Sequence, residues 1–281
     1  MFNDNLQLPE GVPPLTSLYV YAAGSCNLAC RHCWIVPKFK VEGMGGPFVD
    51  ISHVEKAIRE GKPLGLKTVK LTGGEPVSHP QFRQLVKLIE DAGLEIIIET
   101  NGTLVDDSLA QFLKICSHGI FISVSLDGAT SKTHDGLRSV EGSFVQAVSG
   151  IKSLVKAGFH PQMICSLHRD NISEMADVVA FAEELGCGSV KFNNIQQIGR
   201  GEKFWNESGL DVATILQLYQ TVEQEIAHQF HIPIFFGIPF AFYSIHRMLD
   251  KTVGRCTVMN ILGMLATGEL ALCGIGTTIP E

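Results

Sequence analysis

The 281-residue chain is poor in charge, with 18% Asp, Glu, Lys and Arg, and its balance is acidic, with a formal net charge of -7 and a pI near 5.8. A surface with no dominant basic field argues against nucleic acid or an anionic membrane as partner. Long apolar runs are missing as well. The most apolar late stretch, residues 232–243, is short and broken by Pro233, Gly237 and Pro239, which excludes a spanning helix there. Residues 1–16 contain Pro9, Pro13 and Pro14 but neither a basic start nor a continuous apolar segment, so they read as an irregular leader and not a secretory signal. Eight cysteines are too few for a disulfide framework at this length. These absences predict a soluble, cytoplasmic protein whose thiols stay reduced. At 45% hydrophobic the chain can bury a large core, so one main domain with an appendage is expected.

No fixed-period repeat is present; short strand-like runs alternate with helix-like ones. Strands are predicted at 18–22, 68–71, 95–99, 120–125, 162–167 and 189–193, and helices at 51–60, 81–92, 108–115, 144–157, 173–185 and 212–228. The last helix has the clearest pattern: Asp211 can cap it, and Val212, Ile215, Leu216, Tyr219, Val222 and Ile226 repeat at helical spacing. Such alternation implies parallel pairing through right-handed crossovers. The fold class expected is α/β, a partial (β/α)6 TIM-type barrel with a small C-terminal β-hairpin and helix extension; a doubly wound sheet would share the pattern. The barrel is favoured because the distinctive motifs all follow strand ends, where barrel loops converge on one mouth.

Three cysteines near the start carry the most information. Cys26, Cys30 and Cys33, in the run Cys26-Asn27-Leu28-Ala29-Cys30-Arg31-His32-Cys33, supply three thiolates from one loop at C-x3-C-x2-C spacing. That set suits a [4Fe-4S] cube whose fourth iron has no protein ligand and is open to a small molecule. Zinc would need a fourth ligand, and His32 is badly placed to share one tetrahedron with its neighbour Cys33. A disulfide or a buried structural cysteine is the remaining reading.

The pattern, with aromatic His32 before the last cysteine, resembles the signature of the radical S-adenosylmethionine (SAM) superfamily. The run Thr72-Gly73-Gly74-Glu75-Pro76 after the second strand strengthens it. Alone it is a glycine turn in which Glu75 offers a buried acceptor and Pro76 stiffens the backbone; after such a cysteine loop it is similar to the GGEP motif, and the resemblance implies that Gly73, Gly74, Glu75 and Pro76 hold the SAM methionine group. Small polar groups at the next strand ends, Asn101 and the run Ser125-Leu126-Asp127-Gly128, can hold a ribose and an amino-acid head group, or can simply form turns. With His134, Asp135 and Arg138 they resemble the SLDG…HD…R stretch of radical SAM peptide modifiers, which makes Ser125, Asp127 and Arg138 candidates for SAM contact. On the fifth strand Ser166 and His168 share one face. Ser166 is a candidate for the ribose, and His168 is either a site residue or an ordinary strand-end residue. Ile195, after the sixth strand, is the candidate for packing against adenine.

Near the C-terminus Cys256, Gly268 and Cys273 have a spacing similar to the opening of SPASM and twitch extensions. The resemblance implies a hairpin, at 261–265 and 269–272, whose cysteines begin to ligate an auxiliary [4Fe-4S] cluster; two buried cysteines around a turn would look the same. A full extension supplies further cysteines, so the set here is incomplete and the chain is expected to be part of a longer protein. Cys116, Cys165 and Cys187 are expected in the core. The organisation expected is a leader (1–16), a core barrel (17–230) and the start of the extension (231–281).

The resemblance implies an enzyme that cleaves SAM reductively at the cluster and abstracts hydrogen from a peptide or protein substrate, with a flavodoxin or ferredoxin as electron donor and no nucleic-acid or membrane partner. Radical modification of a tetrapyrrole or quinone precursor is the alternative enzyme reading, and an iron-sulfur or zinc scaffold the non-enzyme one.

Overall fold

The computed structural model of the chain describes residues 8–35, 38–39, 46–116, 119–238, 242–243, 245, 249 and 258–272. Strand β1 (Ser17–Ala23) runs into the cysteine loop, flanked by the two-residue strands β2 (Ser25–Cys26) and β3 (Lys38–Phe39). Then follow α1 (Ile51–Gly61), β4 (Thr68–Gly73), α2 (Phe82–Asp91), β5 (Glu95–Thr100), α3 (Asp107–Ile115) and β6 (Ile120–Ser125). The next connection holds two helices, α4 (Ser131–Arg138) and α5 (Ser143–Lys156), before β7 (Gln162–Leu167), α6 (Met175–Leu185) and β8 (Ser189–Asn194). Helices α7 (Arg200–Ser208) and α8 (Val212–Thr221) precede β9 (Ile234–Phe236), and β10 (Ile261–Met264) and β11 (Leu270–Ala271) close the series.

Among the described residues nine strands form one sheet in the order β11-β10-β1-β4-β5-β6-β7-β8-β9. From β1 through β4 to β9 each strand pairs in parallel with the next, so the sheet winds one way without the reversal that defines a doubly wound fold. Its ends do not pair with each other, which leaves a partial barrel. Alternation along the strands sorts the two faces. Val69 and Leu71, Ile96 and Ile98, Met163 and Cys165, and Val190 and Phe192 are buried in the main core, which the helices share through Leu85, Ile89, Ile151 and Val179. The intervening positions point inward and are mixed, apolar at Ile97 and Ile164 and charged at Lys70 and Lys191; Lys70 Nζ donates to Glu99 at 2.7 Å, and Thr72 donates to the same carboxylate at 3.2 Å. Cys165 and Cys187 lie in the core as expected, with Cys116 packed at its edge.

Two departures from the sequence reading have physical causes. The predicted helix 212–228 keeps α-helical form only over Val212–Thr221; residues 222–226 wind into a π-helical turn and 227–229 into a 3-10 turn. The apolar spacing continues through Val222 and Ile226, so the pattern alone could not register the change of winding. The hairpin forms around Gly268 at φ +88, and β10 also pairs with β1, Ser17 opposite Ile261, so the hairpin belongs to the main sheet. β9 likewise adds to β8, with Lys191 opposite Phe235.

Close approach of α5 to the end of β5 depends on glycine. A methyl group at Gly150 would lie 2.1 Å from the carbonyl oxygen of Gly102, whereas one at Gly136, in α4, would meet nothing within 4 Å. Gly150→Ala is expected to cost about 3 kcal/mol or prevent folding, and Gly136→Ala to stabilise by up to about 1 kcal/mol, both read by urea unfolding. A second expectation concerns acid. His134 has no exposed surface and accepts a hydrogen bond from the Asp127 N–H through Nδ1 at 3.1 Å; burial, with Arg138 nearby, pulls its pKa from 6.5 to about 4. The unfolded chain therefore binds the proton more readily between those values, and stability falls as pH drops from 6.5 to 4, by at most about 3 kcal/mol from this residue. His134→Gln should flatten that part of the stability profile; an unchanged slope would assign acid sensitivity elsewhere.

Candidate functional site

At the C-terminal ends of the strands lies a cavity of about 430 Å³. Its wall includes Cys26, Cys30 and Cys33 together with His32, Gly73, Gly74, Asn101, Ser125, Arg138, Ser166 and Ile195, so most residues singled out from the sequence meet in one place. A cavity of this size suits a small-molecule cofactor.

The cysteine loop is held by backbone bonds to α4. Helix ends leave carbonyls without intrahelical partners; here Ala29 N–H donates to the Arg138 carbonyl at 3.2 Å and Arg31 N–H to that of Leu137 at 2.9 Å. Ser139, in the left-handed conformation at φ 57, turns the chain out of the helix. At the loop's far end Arg200 N–H donates to the Cys33 carbonyl at 3.0 Å. Donors also reach the sulfurs. Leu28 N–H lies 3.4 Å from Cys26 Sγ, Asn101 Nδ2 lies 3.8 Å from it, and Arg138 Nη1 lies 3.5 Å from Cys30 Sγ.

Two buried carboxylates organise the mouth without lining it. Glu75 has no exposed surface: it accepts from Thr100 Oγ1 at 2.6 Å and Val77 N–H at 3.1 Å on one oxygen, and from Asn101 N–H at 2.8 Å on the other. The GGEP turn is thereby tied to the end of β5, and Glu75 N–H and Gly74 N–H tie it to Ser25 and Ala23. Asp127, also without exposed surface, forms an ion pair with Arg138 Nε and accepts from Ser166 N–H at 2.8 Å. Burial acts most strongly, to raise its pKa, but the Arg138 guanidinium together with His32, His134 and the Ser166 N–H outweighs it and holds the carboxyl well below the usual range. Burial pushes the Cys26 thiol up to about 12, with Glu75 adding to the shift, and raises Cys30 despite Arg138. His32 is drawn down to about 4 by burial, Asp127 opposing and Arg138 adding, and so stays neutral.

These residues fit an iron-sulfur cube. Three free thiols face one cavity, with N–H donors directed at two of the sulfurs, the arrangement that stabilises cluster thiolates. Among the described residues no three His, Cys, Asp or Glu side chains stand close enough to hold a single metal ion, which counts against tetrahedral zinc. A cube places each thiolate on a different iron and needs no such convergence.

Several sequence expectations are placed differently. The side chains of Glu75, Pro76 and Asp127 do not reach the cavity; the two carboxylates act through Asn101, Arg138 and Ser166. His168 does not share the face of Ser166, because β7 ends at Leu167 and strand alternation lapses there. Its ring packs edge-on against Phe204 and lines a separate hollow beside α4. Cys256 and Cys273 lie outside the described residues. Lys191, Asn194 and Arg200 line the cavity but were not singled out. Lys191 was legible, since it and Asn193 alternate with the apolar Val190 and Phe192.

Comparison with known proteins agrees with this geometry. Residues 20–182 match the family model of the radical SAM superfamily. An AdoMet-dependent heme synthase from Methanosarcina barkeri is 30% identical over 202 residues, 71% of this chain and 56% of that protein. The antilisterial bacteriocin subtilosin biosynthesis protein AlbA from Bacillus subtilis is 30% identical over 176 residues, 63% of this chain and 38% of that protein. The chain thus spans about half the length of the curated relatives it matches. The crystal structure of Streptococcus suis SuiB bound to precursor peptide SuiA superposes with a TM-score of 0.77 at 17% identity, over 96% of this chain and 62% of that one, a likeness of fold. A matching family model over more than half the chain, on a barrel whose three cysteines open into one cavity, establishes that the protein belongs to the radical SAM superfamily, whose members use a [4Fe-4S] cluster and SAM.

Proposed function

We propose that this chain is the catalytic barrel of an enzyme that acts on a peptide or protein substrate, with residues 17–230 as core and 231–281 as the start of a SPASM or twitch extension. The observation that carries the reading is the convergence of Cys26, Cys30 and Cys33 on a cavity also walled by Ser125, Arg138 and Ser166. When bound, the cluster and SAM, with an electron from a flavodoxin- or ferredoxin-type donor, supply a 5'-deoxyadenosyl radical able to take a hydrogen atom from the substrate. Cys26, Cys30 and Cys33 would hold the cluster. Gly73 and Gly74 would let the methionine end of SAM approach the backbone, Ser125 and Arg138 would take its carboxylate or ribose, Ser166 its ribose and Ile195 its adenine. Arg138, fixed by Asp127, also keeps one N–H on Cys30 Sγ, so cofactor and cluster would share a single pre-set guanidinium.

An extended substrate is favoured by what adjoins the cavity. A groove of about 440 Å³, walled by Trp205, Leu210, Ile215 and Ile238, shares Asn194, Ile195, Gln196 and Gly237 with it. Asn194 Oδ1, at their junction, is buried with no hydrogen-bond partner among the described residues, while its Nδ2 donates to the Gly237 carbonyl at 2.6 Å. A peptide running from groove to cavity brings apolar side chains to the first and an N–H donor to Asn194. Similarity to heme synthases supports a second reading, in which a tetrapyrrole fills the same space.

Anaerobic reconstitution with iron and sulfide, followed by reductant and SAM, should yield 5'-deoxyadenosine, and Cys30→Ala should abolish it. Cleavage retained by that variant contradicts the cluster assignment. Stimulation of product by a peptide supports the first substrate class; stimulation by a tetrapyrrole and by no peptide assigns the second.

A further inference from the structure

The cations around the cavity are unequally provided for. Arg138 is paired with Asp127, Lys70 with Glu99 and Arg31 with Glu207. Lys191 and Arg200 also line the cavity, and among the described residues neither pairs with a carboxylate. Arg200 is half-buried, and two of its nitrogens, Nε and Nη2, are buried with no hydrogen-bond partner among the described residues. Burying guanidinium nitrogens without a partner is costly, so the site favours an anion beside Arg200.

Register sets Lys191 apart from Ser125, one of the residues proposed for the SAM carboxylate or ribose. Ser125 pairs with Ile164 and Ile164 with Lys191, so Lys191 stands in the same layer as Ser125 but two strands away, about 10 Å across the barrel at ordinary strand spacing. Lys191 lies toward β9 and the groove through which the substrate is proposed to enter.

We propose, resting on the function proposed above, that Lys191 and Arg200 form a carboxylate-binding wall and that the substrate brings a carboxylate into the cavity. An acidic side chain of a peptide and a propionate of a tetrapyrrole present the same group, and a fork of N–H donors on Arg200 beside the point charge of Lys191 suits either. Glu99, the remaining carboxylate on the wall, is engaged by Lys70 and Thr72 and leaves the charge of Lys191 and Arg200 uncompensated.

The test is a binding experiment on the anaerobically reconstituted chain with S-adenosylhomocysteine present, by titration calorimetry. Two matched pairs serve as probes: deuteroporphyrin and its dimethyl ester, and a synthetic decapeptide with a central Glu among apolar residues and its Gln twin. The acid member of at least one pair should bind about tenfold more tightly than its neutral twin, and that preference should fall to within about twofold in Lys191→Met and Arg200→Met and persist in Lys191→Arg. The pair that discriminates identifies the source of the carboxylate. Absence of preference in both pairs, absence of binding by all four probes, or a preference untouched by the Met variants overturns the proposal. So does a Met variant that loses iron content or affinity for S-adenosylhomocysteine while keeping the acid preference, because the cations would then serve the cofactors. Formation of 5'-deoxyadenosine, measured on the same preparation, judges the enzymatic reading separately from the carboxylate wall.

Discussion

The ion pair between Asp127 and Arg138 is the contact on which the mouth of this barrel depends. It joins the end of β6 to the last residue of α4, and the second carboxylate oxygen takes the Ser166 N–H of β7. Arg138 in turn reaches Cys30 Sγ, and its carbonyl receives Ala29 N–H. Strand ends, helix end and cysteine loop therefore share one buried charge pair. Such a pair is not a cheap source of stability, since both ions lose their water, but it fixes position: breaking it by removing one partner leaves an uncompensated charge in the interior. Geometry is what a site for a reactive cofactor requires.

Glu75 performs the matching task at the ends of the neighbouring strands β4 and β5. Its carboxylate is filled by three donors from its own turn and from the end of β5, and Asn101, held in this way, points Nδ2 toward Cys26 Sγ. The two acidic residues that stand out in the motifs are therefore positioning residues. The groups that line the cavity are uncharged or cationic, apart from Glu99 and the thiols themselves.

Much of this was legible in the chain. Period-two alternation marks β4 and β8, where apolar residues face the helices and polar ones the barrel interior, β5 reads as a short apolar run between Glu95 and Glu99, and the cysteine spacing marks the loop because three ligands from one turn have few other uses. What could not be read follows from how local signals fail. Helix α4, Ser-Lys-Thr-His-Asp-Gly-Leu-Arg, is short and polar and contains a glycine; it is set by its Thr130 cap and by burial of His134, Leu137 and Arg138, a tertiary effect. The inward turn of Glu75 and Asp127 was hidden because a motif gives a residue's place along the chain and not the direction of its side chain. Lys191 was visible as a charge between two buried apolar neighbours, but only the register across β6, β7 and β8 shows how far it stands from Ser125.

The cysteine loop hangs from a helix more than a hundred positions further along, as the 108-residue separation of Arg138 from Cys30 records. A contact of that span closes a long loop, and the closure has to be offset by the bonds it brings together. The geometry of the three thiols is therefore not a local property of their own segment: a chain released before α4 is made lacks the surface on which the loop is set.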